Sequence, residues 1–403
     1  MSSLDVYLSE AHRSLRKQGR EVAREEVAPR IADMEAAGTH TDHGIARIVG
    51  ERGWFGVFIG TEHGGLHAGH VAKTILLDEL SYVSGAAGAI LQAPLIPTLA
   101  LLYRGSVEQK QRWLPQIAAG TLYMAIAVTE PEHGSHVLGM TSTARRSGKY
   151  WIINADKCWV GASGIAHLHV VIVRTGKRGD PRGLSAFLVE ADRDGLEVTQ
   201  PPLVGLHGFT AGNVRLRNVR VPASALLGEV GDGLDIAYTA STVCGRPNLA
   251  AVALGLHRRV LDVTTDFLAG RPRYDGVLAD LPVVGQHLAE MKSRLMTAEG
   301  AVYYAAHLLD QGVSCDAELV NSKLVNSRAA KASVQEGKDT HGGYSGRADY
   351  EISRLSRDID LVSAPAGPDD IQLLRLSEVA RGTDRVQWSA RYLAQTASQT
   401  PPV

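Results

Sequence analysis

The clearest hydrophobic pattern in the chain lies in its last third, where apolar residues recur at alternating steps of four and three. The pattern comprises Val284, Leu288, Met291, Leu295, Ala298, Val302, Ala305 and Leu309. A seam of this period predicts one long helix with a single apolar stripe. Long helices of this kind pack side by side in antiparallel bundles, so residues 232–403 are predicted to form a helical bundle.

The first 121 residues show a weaker helical pattern. Charged and apolar positions alternate with helical spacing over residues 11–29, 71–83 and 108–117. The first of these stretches ends at a proline and a glycine follows the last, and both residues are common helix-terminating signals. We therefore predict an N-terminal helical domain over residues 1–121.

The middle of the chain has a different pattern. Between residues 122 and 231, short runs rich in Val, Ile and aromatic residues, such as KYWIINADKCWV and HLHVVIVRT, are separated by clusters of Gly, Pro, Asp and Asn. Strands and turns at this spacing are typical of a small antiparallel sandwich or barrel. The predicted fold is mainly α with a β middle domain at 122–231.

One uncharged stretch is long enough to cross a membrane. Leu80–Tyr103 contains no Asp, Glu, Lys or Arg, but it holds Pro94 and Pro97. Proline removes a backbone donor and clashes with the preceding helical turn. We therefore expect two short buried helices with a turn between them, and no membrane span.

Composition narrows the function classes. The 403 residues carry 42 Lys+Arg and 43 Asp+Glu, so the chain lacks the overall basic charge typical of a nucleic-acid-binding protein. Three cysteines are too few for a disulfide framework and fit a reducing cytoplasm. The N-terminus shows no basic segment followed by an apolar one, so no signal peptide is expected.

Sequence motifs leave three segments of interest. The chain has no G-x-G-x-x-G after a strand and no P-loop, and we predict no metal site. AVTEPEHGSH, KCWVGAS and HGGYSG combine hydroxyls, an indole and paired glycines. Each segment is either a structural turn or a ligand contact, and the residues alone leave both readings open.

The ordered set of motifs resembles the acyl-CoA dehydrogenase family of flavoproteins, from about Glu21 to Arg381. The segments that carry the resemblance are VAPRIADMEAAG, GWFGVFIGTEHGG, GSVEQKQRWLPQIAAG, TEPEHGSH, INADKCWV, GLSAFLVEAD, VRLRNVRVPASALLG, GRPNLAAVALG and HGGYSG. The resemblance implies an N-terminal helical domain, a β domain and a C-terminal four-helix bundle. It also implies one FAD per subunit, a homo-oligomer such as a tetramer or dimer, and an oxidoreductase that acts on an acyl thioester.

Matching the family motifs implies specific FAD contacts. Thr129 and Ser135 match flavin-contacting hydroxyl residues, and Trp159 matches the tryptophan packed on the isoalloxazine ring. Gly161 stands where the family has a threonine that hydrogen-bonds flavin N5. This last departure weakens the implied flavin pocket.

Further implied contacts lie in the C-terminal domain. Arg271 matches the arginine that reaches the FAD pyrophosphate of a neighbouring subunit, and the pair Gly342–Gly343 matches glycines near that cofactor. The resemblance implies substrate contacts for Ser135, Arg246 and Gly367.

The catalytic base of the family is missing. Its usual glutamate corresponds to Ala366, and its alternative position in some members corresponds to Gly245. Neither residue can accept the weakly acidic α-proton of a thioester, so ordinary dehydrogenation is expected to be impaired. Asp369 and Asp370 are weak substitute candidates that also suit the first turn of a helix.

Other family positions also differ. A glutamine before the glycine pair is Asp339, a glutamine after the pyrophosphate-binding arginine is Pro282, and the aspartate closing the first motif is His136. These departures put the details of cofactor binding in doubt.

Three functions remain open on the sequence. The first is an FAD-dependent oxidoreductase of specialised metabolism that acts on an acyl group carried by CoA or by an acyl carrier protein, with an electron-transfer flavoprotein as a further partner. The second is a repurposed flavin pocket that performs oxygen-dependent or non-redox chemistry such as cyclisation. The third is a catalytically inactive acyl-binding subunit.

Overall fold

The computed structural model describes residues 8–38, 40–384 and 387–397, and it confirms the expected succession of helices, strands and helices. The N-terminal helices are α1 (Glu10–Val22), α2 (Ile31–Ala37), α3 (His43–Glu51), α4 (Gly69–Val83), α5 (Gly85–Arg104) and α6 (Val107–Ala118). Their ends follow local signals: Ser106, for example, forms a capping box with Gln109 at the start of α6.

The middle region folds into an eight-stranded sheet. Its strands are β1 (Met124–Ala127), β2 (Thr143–Ser147), β3 (Tyr150–Gly161), β4 (Leu168–Arg174), β5 (Leu184–Glu190), β6 (Leu196–Thr199), β7 (Ala211–Pro222) and β8 (Leu226–Leu227). The sheet order is β6-β7-β3-β2-β4-β5-β8, and β1 pairs with β4.

The expectation of an antiparallel β domain holds for most but not all of this sheet. β1 runs parallel to β4, and one pair between β2 and β4 is also parallel. The chain can return in parallel because β2, β3 and the turn after β3 supply the long connection that a parallel pair needs. Nearly every residue of β4 and β5 is buried, so both faces of these strands are covered.

The C-terminal region begins with α7 (Gly233–Ala240), passes through a π-helical turn at Ser241–Gly245 and continues directly into α8 (Arg246–Gly270). After the short strands β9 (Pro272–Arg273) and β10 (Gly276–Val277) come α9 (Pro282–Asp310), α10 (Asp316–His341), α11 (Glu351–Ser363), α12 (Asp369–Ala380) and α13 (Trp388–Ala397). The predicted heptad helix is confirmed as α9, which buries every seam residue except Leu288, which is partly buried.

The prediction of a break at Pro94 and Pro97 is wrong. α5 is one continuous helix of 20 residues with both prolines inside it. The nitrogens of Pro94 and Pro97 cannot donate a backbone hydrogen bond. In the same turn, Thr98 Oγ1 donates to the Pro94 carbonyl at 2.8 Å, which adds a side-chain hydrogen bond. Almost the whole helix is buried, and its packing outweighs the local preference against proline.

α5 is also the one described helix that is long and apolar enough to cross a membrane. Within the protein, 89% of its apolar window is buried against other elements. Its composition is therefore that of a central core helix.

The last helix, α13, is fixed to the bundle by a long-range cap. Asp316 accepts from the backbone N–H of Trp388 at 2.7 Å and of Ser389 at 2.8 Å. Trp388 stacks on Tyr238 with ring centroids 5.2 Å apart, and Tyr392 of the same helix is buried. A carboxylate at a helix N-terminus satisfies free donors and the helix dipole together.

We expect Asp316→Ala to lower the free energy of unfolding by about 1–2 kcal/mol, because it removes this N-terminal cap. Limited proteolysis should show faster cleavage at the start of α13. Asp384→Ala, which removes a carboxylate that accepts from Gln387 Nε2 at 2.7 Å, serves as the control. Equal cleavage rates in both variants would contradict the anchoring role.

Candidate active site

A strand irregularity presents Trp159 to solvent. The pairing of β3 with β7 slips between Lys157 and Val160, and Trp159 takes a left-handed backbone with φ of 57°. Its indole is 64% exposed, which is unusual for the largest apolar side chain. An exposed indole at the end of a strand suits a planar aromatic ligand that covers it.

The loop after β1 is tied to the same strand. The Thr129 carbonyl accepts from Cys158 N–H at 3.0 Å, so Thr129 lies beside Trp159. The buried Lys157 ammonium donates to the Val128 carbonyl at 2.9 Å and to Glu130 Oε1 at 3.0 Å. These bonds fix the loop that carries the predicted flavin-contacting residue.

The Lys157–Glu130 pair has perturbed acidities. Burial alone would raise the pKa of Glu130, but the Lys157 ammonium and hydrogen bonds from Thr141 and Ser142 outweigh it and lower that pKa to about 2. Burial lowers the pKa of Lys157 to about 8, and Glu130 opposes that shift.

Ser135, which is exposed, lies farther along the same loop.

Gly161 ends β3 in a narrow space. A Cβ on Gly161 would lie 3.2 Å from Ala93 Cβ and 3.2 Å from Phe209 Cζ. Contacts that short require the neighbours to move, so Phe209 and Ala93 occupy the room that a threonine side chain would need. The wall at this point is apolar.

The two positions implied for a catalytic base face each other. A Cβ on Gly245 would lie 3.5 Å from Ala366 Cβ, 3.6 Å from Ile96 Cδ1 and 3.7 Å from Ser241 Oγ. Ile96 follows Ala93 by three residues on α5, so one face of this helix adjoins both Gly161 and Gly245. The structure therefore brings the end of β3 and the two base positions to one helix face.

The loop that carries Ala366 is firmly held. Ala366 has a left-handed φ of 56° and Gly367 a φ of 95°. Gln372 Nε2 donates to the carbonyls of Ala366 at 3.0 Å and Gly367 at 2.8 Å, and Lys323 Nζ donates to the carbonyls of Ser363 and Gly367. The sequence analysis identified neither anchor, although Gln372 closes the segment PAGPDDIQ (residues 365–372), in which Ala366 takes the place of the family's glutamate.

The substitute carboxylates belong to the start of α12. Asp369 Oδ2 is 3.0 Å from Arg328 Nε, and Asp369 and Asp370 form the first turn of the helix. Their positions suit favourable contact with the helix N-terminus.

Arg271 and the Gly342–Gly343 pair form a separate group. The Arg271 guanidinium lies over the Tyr344 ring at 4.3 Å, and a Cβ on either glycine would meet nothing within 4 Å. The 25 residues of α8 lie between Gly245 and Arg271 and separate them by about 39 Å at 1.5 Å per residue. One chain therefore carries two distant groups of predicted cofactor contacts.

The remaining departures have structural roles. Pro282 is the first residue of α9, where proline is well tolerated. Asp339 Oδ1 accepts from Gln335 Nε2 at 2.9 Å along α10, and His136 is exposed beside the His133 ring.

The residues present fit FAD as a divided site. The exposed Trp159 and the fixed Thr129 suit the flat ring system. Arg271, with open glycines nearby, suits a pyrophosphate. When bound, FAD supplies hydride chemistry at its isoalloxazine ring.

Family models match most of the chain. The acyl-CoA dehydrogenase N-terminal domain matches residues 9–121, the middle domain residues 125–219 and the C-terminal domain residues 231–380. α13 follows the last matched residue.

Individual proteins support the same assignment. An acyl-CoA dehydrogenase of Bacillus subtilis is 31% identical over 380 residues, covering 94% of this chain and all of that protein. A 3-(aryl)acrylate reductase of Clostridium sporogenes is 30% identical over 370 residues, covering 91% of this chain and 97% of that protein. The structure of an acyl-CoA dehydrogenase from Geobacillus kaustophilus superposes with a TM-score of 0.88 at 28% identity, covering 94% of this chain and 99% of that one.

The Glu130 carboxylate gives a pH prediction. Because its pKa in the folded protein is about 2 against 4.5 ordinarily, its stabilising effect is complete above about pH 4.5 and is lost as the pH falls towards 2. Glu130→Gln should cost about 3 kcal/mol at pH 7, since it leaves the buried Lys157 unpaired. Thermal melts from pH 7 to pH 3 should show this difference narrowing.

The control is Glu132→Gln, an exposed glutamate in the same loop. It should melt like the wild type throughout. A Glu130→Gln deficit that stays constant down to pH 3 would show that the charge of Glu130 is not the source of the stabilisation.

Proposed function

Because the chain belongs to the acyl-CoA dehydrogenase family of FAD-dependent oxidoreductases, we propose that it reduces the α,β double bond of an unsaturated acyl thioester. The acyl group is carried by CoA or by a carrier protein. The similarity to an arylacrylate reductase supports the reductive direction. An electron-transfer flavoprotein is the proposed electron donor.

The observation behind this proposal is that the two positions implied for the base, Gly245 and Ala366, face each other and neither carries a carboxylate. A Cβ on Gly245 would touch the Ala366 methyl at 3.5 Å, and Ile96 closes the same space. Neither position carries a side chain that can accept a proton. Oxidation of an ordinary thioester needs a base for the α-proton, and a general base contributes about 10²–10⁴-fold.

Loss of the base slows oxidation and reduction by the same factor, because both directions pass through the same transition state. In the reductive direction the α-carbon gains a proton, and an enolate is basic enough to take that proton from water. The overall free energy and the supply of electrons therefore decide which direction proceeds, and the similarity to an arylacrylate reductase supports reduction.

We also propose that the cofactor site is completed between subunits. Thr129, Trp159 and Gly161 would hold the flavin end, and Arg271 with Gly342–Gly343 would reach the pyrophosphate of a neighbour's FAD. The separation of about 39 Å between Gly245 and Arg271 along α8 supports this division. A homo-oligomer is thus part of the proposed active form.

Anaerobic visible spectroscopy of the purified protein tests the proposal. A flavin spectrum should persist unchanged with saturated acyl-CoAs. After chemical reduction, adding unsaturated or aryl-acrylyl thioesters should restore the oxidised spectrum. Rapid bleaching by saturated acyl-CoAs would overturn the proposed direction, and a reduced flavin reoxidised only by oxygen would favour oxygen-dependent chemistry instead.

Restoring a carboxylate should restore oxidation. We expect Ala366→Glu to raise the rate of flavin bleaching by a saturated acyl-CoA by about 100-fold or more, because it supplies the missing base. Gly245→Glu should act similarly, since Gly245 has φ of −57° and ψ of −50°, which any residue can adopt. Stopped-flow absorbance of the flavin measures both rates.

Ala366→Gln is the matched control. It has the size and shape of the glutamate variant but cannot accept the proton. If Ala366→Gln and Ala366→Glu bleach equally, or if neither bleaches with FAD bound, the base is not what limits oxidation.

A further inference from the structure

An aromatic ring outside the motifs that carry the family resemblance borders the end of β3. Phe209 is 6% exposed, and its Cζ atom lies 3.2 Å from where a Cβ on Gly161 would be. Ala93 Cβ lies at the same distance from that point. Gly161 follows the exposed Trp159 by two residues on the same strand, so the Phe209 ring borders the place where the flat ring system of FAD fits.

Space, and not backbone conformation, makes position 161 a glycine. Gly161 does not have a positive φ, so its backbone does not itself require glycine. Two contacts of 3.2 Å require a neighbour to give way before a side chain can be added. Ala93 belongs to the buried core helix α5, so the ring of Phe209 is the group that would have to move. Gly161 and Phe209 are therefore a matched pair.

The loop that carries Phe209 is held by both helical domains. Leu206 N–H donates to the buried Asp358 on α11 at 2.6 Å. The hydroxyls of Thr210 and of Thr41, which precedes α3, share a buried hydrogen bond of 2.6 Å. These bonds lie on either side of Phe209 along the chain, so they fix where its ring lies.

The wall beside Gly161 is apolar. Neither the Phe209 ring nor the Ala93 methyl can donate a hydrogen bond, and Gly161 has no side chain. A flavin takes up negative charge when it is reduced at neutral pH, and surroundings without donors disfavour added charge. Because the apolar shell around a redox centre sets part of its potential, this wall favours the oxidised flavin.

We infer that Phe209 is a positioning residue of the cofactor site. Its ring takes the space beside Gly161, keeps water and polar groups away from that edge of the flavin, and lowers the reduction potential of bound FAD. Reduced FAD is then a stronger electron donor towards a substrate. The inference rests on FAD binding and not on the direction of the proposed reaction.

The first test is a double-mutant cycle between positions 161 and 209. Gly161→Thr should weaken FAD binding by about tenfold, because the added side chain overpacks the site. Gly161→Thr combined with Phe209→Ala should recover most of that loss, since the smaller side chain frees the space. Phe209→Ala alone completes the cycle, and flavin release from the FAD-loaded protein, followed by fluorescence, gives the affinities.

The second test measures the reduction potential of bound FAD without substrate, by anaerobic equilibration with a dye of known potential. Phe209→Tyr places a hydroxyl on Cζ, the atom that faces Gly161. It should raise the equilibrium constant for reduction about tenfold, the value of a hydrogen bond to a charged group, which is about 30 mV for a two-electron couple. Phe209→Leu keeps the wall apolar and should stay within about twofold of the wild type. Gly161→Thr with Phe209→Ala, which places a hydroxyl at the same wall, should show a rise similar to that of Phe209→Tyr.

Phe55→Leu is the matched control. Phe55 is a fully buried phenylalanine of the N-terminal domain, in edge contact with Tyr123. Its shortening should lower the melting temperature and leave the reduction potential unchanged. A change in potential at position 209 then does not arise from loss of stability alone.

Equal potentials in the wild type and in Phe209→Tyr would overturn the inference, and so would an equal shift in Phe209→Leu. FAD binding by Gly161→Thr at wild-type strength would also overturn it, because the Phe209 ring would then not limit the space. Neither test uses a thioester, so the inference can fail while the proposed direction of reaction holds, and the reverse.

Discussion

The whole arrangement depends on the burial of α5. This helix passes through the centre of the protein with both prolines inside it, and 89% of its apolar window is covered. Ala93 on this helix adjoins the end of β3, and Ile96, one turn later, adjoins the start of α8. Because packing density permits little adjustment in such a core, α5 fixes how the β domain and the helical bundle meet. The candidate active site lies where these two parts of the protein pack together on α5.

Local patterns predicted the elements that depend on period. The heptad seam located α9, because burial on one face leaves a regular mark in the sequence, and runs rich in Val, Ile and aromatic residues between turn residues located the strands. The prolines of α5 misled for the opposite reason, since their local cost is outweighed by tertiary packing that no short window contains. The facing of Gly245 and Ala366, and the anchors Lys323 and Gln372, arise from contacts between residues far apart in the chain.

The loop around Ala366 keeps an energetically unfavourable backbone conformation, although its side chain is only a methyl group. A left-handed alanine is unfavourable, and here two buried donors, Lys323 and Gln372, hold it in place. These hydrogen bonds hold the backbone of the loop, so the Cα–Cβ bond at position 366 has the same orientation whichever side chain is present. Under the proposed function, the side chain at position 366 alone sets the chemistry there, and the supporting framework is the same for any residue.

The length of α8 has a thermodynamic consequence. If each FAD is shared between neighbours, as proposed, cofactor occupancy and subunit association are linked equilibria, and each must strengthen the other by the same factor. Dilution that separates the subunits would then release flavin, and added flavin would hold the assembly together at lower protein concentration. The fraction of protein with bound flavin would consequently fall on dilution in parallel with the fraction of assembled subunits. Flavin absorbance would then report the quaternary structure.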